Sequence, residues 1–136
     1  MYAASRQSAE QYRKVGATSS ILEADPRKLV QLLLEGASSR LRLAMAHLER
    51  GDQAAKGKAI GRTCDIVAHL ASTLDHQRGG EIADNLSALY DYILLRITQG
   101  NLDNDRQALQ EALDLLGQIE TAWAAMPAGN SQASSA

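Results

Sequence analysis

The chain has no phenylalanine, one tryptophan and four tyrosines, so aromatics make up only 4% of its 136 residues. Yet 45% of it is hydrophobic. A core drawn from Leu, Ile and Ala favours helices, because strands rely on aromatic and β-branched residues. Cysteine occurs once, which excludes an internal disulfide framework and suits a reducing, cytoplasmic compartment. No apolar run reaches the roughly 18 residues a membrane span requires, so no membrane insertion is expected. The first residues, Met1-Tyr2-Ala3-Ala4-Ser5-Arg6-Gln7, contain no apolar stretch of the kind a cleaved secretion signal carries, and none is expected. A net charge of −2 gives no case for general nucleic-acid binding. The length fits one domain, able to bury about two-thirds of its unfolded surface without help from a metal.

Charge is unevenly spread. Residues 1–78 carry 12 Lys and Arg against 8 Asp and Glu, whereas residues 79–136 carry 2 against 8. Two oppositely charged helical hairpins attracting each other would account for this. The alternative is an electropositive face for an acidic partner, but the basic residues are scattered along the sequence, which favours the first reading.

The pattern predicts four long helices. Asp25-Pro26 is a strong helix start, with Asp as cap and Pro at the first helical position. Leu29, Leu32, Leu33, Gly36, Ala37, Leu41, Ala44 and Leu48 follow at helical spacing, and Gly51-Asp52 ends that helix and opens the next. Ala55, Ile60, Cys64, Val67, Ala71 and Leu74 carry the second helix to about His76, where Gly79-Gly80 breaks the chain. Ile82, Leu86, Leu89, Tyr90, Ile93 and Ile97 form a third stripe, stopped by Gly100-Asn101. Asn104 or Asp103 is expected to cap a fourth, with Ala108, Leu109, Ala112, Leu116, Ile119 and Trp123 on one face and Pro127 closing it. Short turns between long helices imply an all-α, antiparallel four-helix bundle spanning residues 21–127. Residues 1–20 read as a mobile N-terminal arm holding a short helix, and residues 128–136 as a disordered tail.

Two helices are more apolar than a bundle requires. On the first, Leu29, Leu32, Leu33, Ala37, Leu43 and Ala44 span one face, while Val30, Leu34, Leu41 and Met45 extend it round the side. On the second, Ile60, Cys64, Val67, Ala71 and Leu74 read as the inner face, with Ala59, Ile66 and Leu70 as an adjoining strip. The excess can be covered by the arm or left exposed, can form a groove for an apolar partner segment, or can form a homodimer contact. Pattern alone leaves all three open. Arg40 and His47 fall inside the first helix's apolar arc, where Arg40 can snorkel to a carboxylate or serve as a charged anchor beside a groove.

Catalysis finds little support. His47, His69 and His76 lack a Glu three residues before them, so the di-iron bundle pattern fails. Histidine phosphotransfer is the alternative use of such a bundle, but no lysine beside His69 supports a phosphate. Cys64 reads as a small inner-face hydrophobe, and Gly79-Gly80 follows no strand and is no phosphate loop. No enzyme, metal or cofactor is expected.

The string Gly79-Gly80-Glu81-Ile82-Ala83-Asp84-Asn85-Leu86, followed by Leu89-Tyr90-Asp91-Tyr92-Ile93, resembles the signature of the flagellin-specific export chaperones, the FliS family. So do Leu32-Leu33-Leu34-Glu35-Gly36-Ala37 after Asp25-Pro26, Gln11-Tyr12-Arg13 near the start, and Lys56-Gly57-Lys58-Ala59-Ile60. Asn101 with Asp105, before a Leu-rich last helix ending in Trp123, completes a collinear match over about residues 9–127. That family often has a second Tyr three residues before Tyr12, where this chain has Ala9. The resemblance implies a four-helix bundle with a short N-terminal helix, acting in the cytoplasm. It implies binding of the disordered C-terminal segment of flagellin, prevention of premature polymerisation, and delivery to a component of the flagellar type III export gate. The groove candidates are Ala59, Ile66 and Leu70 on the second helix, Leu34, Leu41 and Met45 on the first, and Tyr12 in the arm.

Overall fold

A computed structural model describes residues 25–127. Four helices follow one another: α1 (Pro26–Glu49), α2 (Gln53–Ser72), α3 (His76–Asp103) and α4 (Arg106–Ala125). Each packs on its sequence neighbours, and α4 closes back on α1, giving an antiparallel ring. No strand occurs among the described residues. Tyr12, the arm and the tail lie outside them.

Every helix begins on an aspartate. The carboxylates of Asp25, Asp52, Asp75 and Asp105 accept hydrogen bonds from backbone N–H groups of their own first turns, at 3.0–3.3 Å. Each cap satisfies donors that the helix leaves unpaired and places negative charge at the positive end of the dipole. Asp105, rather than Asn104 or Asp103, therefore opens α4. α3 runs past Gly100-Asn101 and ends where Asn104 takes the left-handed conformation (φ 50°). Gly100 stays helical because it is needed for packing: a Cβ there would lie 2.6 Å from Leu109 Cδ2. Similarly, α2 ends at Ser72 and His76 already belongs to α3. Gly80, at φ 50° and ψ −125°, kinks α3 one turn after its start, a conformation open to glycine.

The core follows one rule on all four helices, alternating steps of three and four residues. Val30, Leu34, Ala37, Leu41 and Ala44 are buried on α1, with Leu48 half-buried at the end of the row. On α2 the row is Lys56, Ile60, Thr63, Val67 and Leu70. Ala83, Leu86, Tyr90, Ile93, Ile97 and Gly100 line α3, Leu86 being half-buried. Leu109, Ala112, Leu116, Ile119 and Trp123 line α4, ending at half-buried Met126. This is the spacing of knobs-into-holes packing at small crossing angles.

Polar ties fix the ends. At one end Arg106 pairs with Glu49 at 3.0 Å, joining the start of α4 to the end of α1. Nearby, Lys56 Nζ donates to the carbonyl of Asn101 at 2.9 Å and to Asn104 Oδ1 at 2.6 Å. At the other end Arg27 reaches the last carbonyls of α4.

Candidate partner-binding site

Most of the groove candidates on α1 and α2 are turned inward in this structure. Leu34 and Leu41 are fully buried and Leu70 is 1% exposed, so these three are core residues. The reason is the three-four step: Val30, Leu34, Ala37 and Leu41 form the inward row, and Leu32 and Leu43, assigned to the inner face by sequence, are the exposed ones. Ile66 sits to the side of the α2 row as expected and is half-buried, its Cδ1 lying 3.7 Å from the position a Cβ on Gly36 of α1 would take. Met45 and Ala59 are also buried, and each contributes to the floor of a shallow recess.

An open apolar groove lies instead between the N-terminal half of α3 and the C-terminal half of α4. Ile82, Leu86 and Leu89 supply one wall at helical i, i+4, i+7 spacing. Ile119, Ala122, Trp123 and Met126 supply the other, with Asn85 and Gln118 at the rim. The groove encloses about 360 Å³. Ile82 is 62% exposed, because the kink at Gly80 starts the straight part of α3 beside it and the inward position goes to Ala83. The sequence reading placed Ile82 in the core; the signal it lacked was that Ala83, not Ile82, continues the three-four row. The floor is held by Trp123, whose indole N–H donates to the carbonyl of Arg27 at 3.0 Å.

The ionisable groups have structural duties. Burial, and then the Asp65 carboxylate, push the Cys64 thiol above its usual range. Burial pushes the Tyr90 phenol up to about 12. Tyr92 donates to the Glu111 carboxylate, and that bond raises the phenol's pKa because it favours the protonated form. Arg96 Nε lies 3.3 Å from Glu111 Oε2 but is not aligned to donate to it, and Arg96 bonds Gln99 instead. His76 Nδ1 is 2.7 Å from Asp84 Oδ1, and His47 meets Arg50 at 3.2 Å. Among the described residues no three His, Cys, Asp or Glu side chains are placed to hold a metal ion.

A bundle with an apolar groove on its outer surface, as the described residues form it, is suited to binding an apolar segment. Comparison with known proteins agrees with that character. The family described as Flagellar protein FliS matches residues 8–130. The chain belongs to the FliS family. It is 44% identical over 113 residues to the flagellar secretion chaperone FliS of Salmonella typhimurium, covering 82% of this chain and 84% of the relative. It is 38% identical over 122 residues to that of Vibrio cholerae, covering 90% of each. A third relative, the flagellar secretion chaperone FliSB of Pseudomonas aeruginosa, is 37% identical over 114 residues, 84% of this chain and 90% of the relative. The phosphotransfer alternative gains nothing, since the FliS relatives are named as chaperones and two of the three histidines have side-chain partners of their own. None of the helices among the described residues is long and apolar enough to cross a membrane.

Proposed function

We propose that this FliS-family chain is a cytosolic flagellar secretion chaperone that binds the C-terminal segment of flagellin in the α3–α4 groove. The observation that carries the reading is the open row Ile82, Leu86 and Leu89 facing Trp123 and Met126. An amphipathic segment can lay an apolar stripe along such a groove and leave its polar face in water. A segment that is disordered when free loses chain entropy on binding, which holds affinity to a moderate level and keeps release for export accessible. Covering that segment also removes the surface through which flagellin subunits would join. Delivery to a component of the type III export gate follows as part of the same reading.

The test is a titration of the full chain with flagellin and with flagellin lacking its C-terminal segment. Saturable one-to-one binding of the first, absent for the second, is the expected result. Equal binding of both would overturn the proposal.

A further inference from the structure

A second cleft, between α1 and α2, has a different chemistry. Arg40, Leu43 and His47 on α1 face Ala55, Lys58, Ala59 and Arg62 on α2 around about 310 Å³. Arg40, Lys58 and Arg62 are exposed, and among the described residues none of the three forms an ion pair. Among the described residues no acidic side chain lines the cleft. Cations gathered without an anion repel one another, and an anionic occupant relieves that repulsion. Between the charges the floor is apolar, made by Leu43, Ala55 and Ala59.

We propose that this cleft docks an acidic amphipathic helical segment of a second protein, one that sets small apolar residues on Leu43 and Ala59 and carboxylates against Arg40, Lys58 and Arg62. The lining residues occupy i, i+3 and i+7 positions on α1 (Arg40, Leu43, His47) and i, i+3/i+4 and i+7 positions on α2 (Ala55, Lys58, Ala59, Arg62), so the cleft runs for about two helical turns, roughly 10 Å. That length suits a helix with carboxylates on successive turns, to meet Lys58 and Arg62 on one side and Arg40 on the other. The composition of the flanking residues does not match an acidic occupant: residues 1–24 carry Arg6, Arg13 and Lys14 against Glu10 and Glu23, and residues 128–136 have no charged side chain. Nucleic acid is disfavoured by the rest of the surface, where residues 73–127 carry nine Asp and Glu against three Lys and Arg.

The position matters as much as the charge. In the ring of helices the α1–α2 and α3–α4 grooves lie on opposite sides. They also lie towards opposite ends, because Trp123 in the apolar groove is tied to Arg27 at the start of α1, whereas Arg40 and His47 sit in its second half. Both grooves can therefore be filled at once, so a loaded chaperone keeps a free basic surface for a second protein.

The probe is a designed, fluorescently labelled helical peptide with Glu at i, i+4 and i+7 flanking Ala and Leu, compared with its Gln counterpart. Anisotropy titrations use the full chain, the Arg40→Glu/Arg62→Glu variant and an Ile82→Glu variant. The Glu peptide should saturate the unaltered chain and weaken with added salt. It should lose about tenfold or more in affinity with the charge-reversed variant and bind the Ile82→Glu variant normally. Flagellin binding should be retained by the charge-reversed variant, so failure of this proposal and failure of the cargo-groove reading give different patterns. Equal binding of the Gln peptide, no effect of charge reversal, or equal competition by a single-stranded oligodeoxynucleotide would overturn it. So would self-association of the free chain that charge reversal abolishes, since the occupant would then be a second copy.

Discussion

Arg27 and Trp123 hold each other by reciprocal bonds: the Arg27 guanidinium donates to the Trp123 carbonyl at 3.2 Å, and the Trp123 indole donates to the Arg27 carbonyl at 3.0 Å. The Arg27 side chain thus caps the last carbonyls of α4, and the Trp123 indole anchors on the first turn of α1, joining the start of α1 to the end of α4. Arg27 also reaches the Ala124 carbonyl, so a cation sits at the negative end of the α4 dipole. Arg27→Ala should cost about 1–2 kcal/mol, a charged hydrogen bond plus a dipole interaction, read as a lower urea midpoint. An unchanged midpoint would mean that the clasp contributes nothing.

Lys56 is a buried cation with no carboxylate beside it, held by a backbone carbonyl and an amide oxygen at the α3–α4 turn. Lys56→Met keeps the stem and removes the donor, leaving the Asn101 carbonyl and the Asn104 amide oxygen without that partner. A loss of about 1–3 kcal/mol is expected by chemical denaturation.

Two glycines should respond in opposite directions to the same change. Gly100→Ala puts a methyl 2.6 Å from Leu109 Cδ2 and 3.1 Å from the Asp105 carbonyl, and should destabilise by about 1–3 kcal/mol. Gly61→Ala, on exposed α2 surface with nothing within 4 Å, should stabilise by about 0.5–1 kcal/mol. Thermal melts of the pair decide whether close helix approach or backbone entropy governs each site.

Tyr90 links stability to alkaline pH. Its folded-state pKa of about 12 lies above the ordinary tyrosine value of about 10, so the folded protein holds the proton more tightly than the unfolded chain. Its contribution is fully present below about pH 10 and is lost as pH rises towards 12. Tyr90→Phe should flatten that loss. An identical alkaline decline in both proteins would assign it to other groups.

The sequence revealed the fold through its punctuation. Asp25-Pro26, Gly51-Asp52 and the apolar row ending in Trp123 each sit where expected, and the fourth helix's six core residues are all buried. The inward faces of α1 and α2 were harder to read. On α2 the three-four row passes through Lys56 and Thr63, two polar residues that hide it, because both are satisfied internally: Thr63 donates to the Ala59 carbonyl at 2.9 Å. With those two set aside, Ile60, Cys64 and Ala71 look like the inner row and Leu70 looks spare. On α1, leucine occurs on nearly every side, so only the strict alternation through Val30, Leu34, Ala37 and Leu41 separates core from surface. The candidate α3–α4 groove was not read from the sequence because the larger Ile82 was taken for the row that the small Ala83 continues, just beyond the kink at Gly80. The basic cleft joins residues some twenty positions apart, and it emerges only when α1 and α2 lie side by side.

Leu70 and Ile82 now separate folding from binding. Leu70→Asn removes a fully buried side chain and strands an amide in the core, so it should lower stability by about 3–5 kcal/mol. A normal urea midpoint would instead place Leu70 at a surface.

The central claim is that the α3–α4 groove receives flagellin, and Trp123, the only tryptophan, reports on it directly. The decisive measurement is a titration of the full chain with a tryptophan-free flagellin C-terminal segment, following Trp123 fluorescence, repeated with Ile82→Glu. The account predicts a saturable change in Trp123 emission, and an Ile82→Glu protein whose urea midpoint is kept while its affinity falls about tenfold or more, the loss of one apolar contact plus the burial of a charge. Full-strength flagellin binding by Ile82→Glu, or binding that leaves Trp123 emission unchanged, would contradict it.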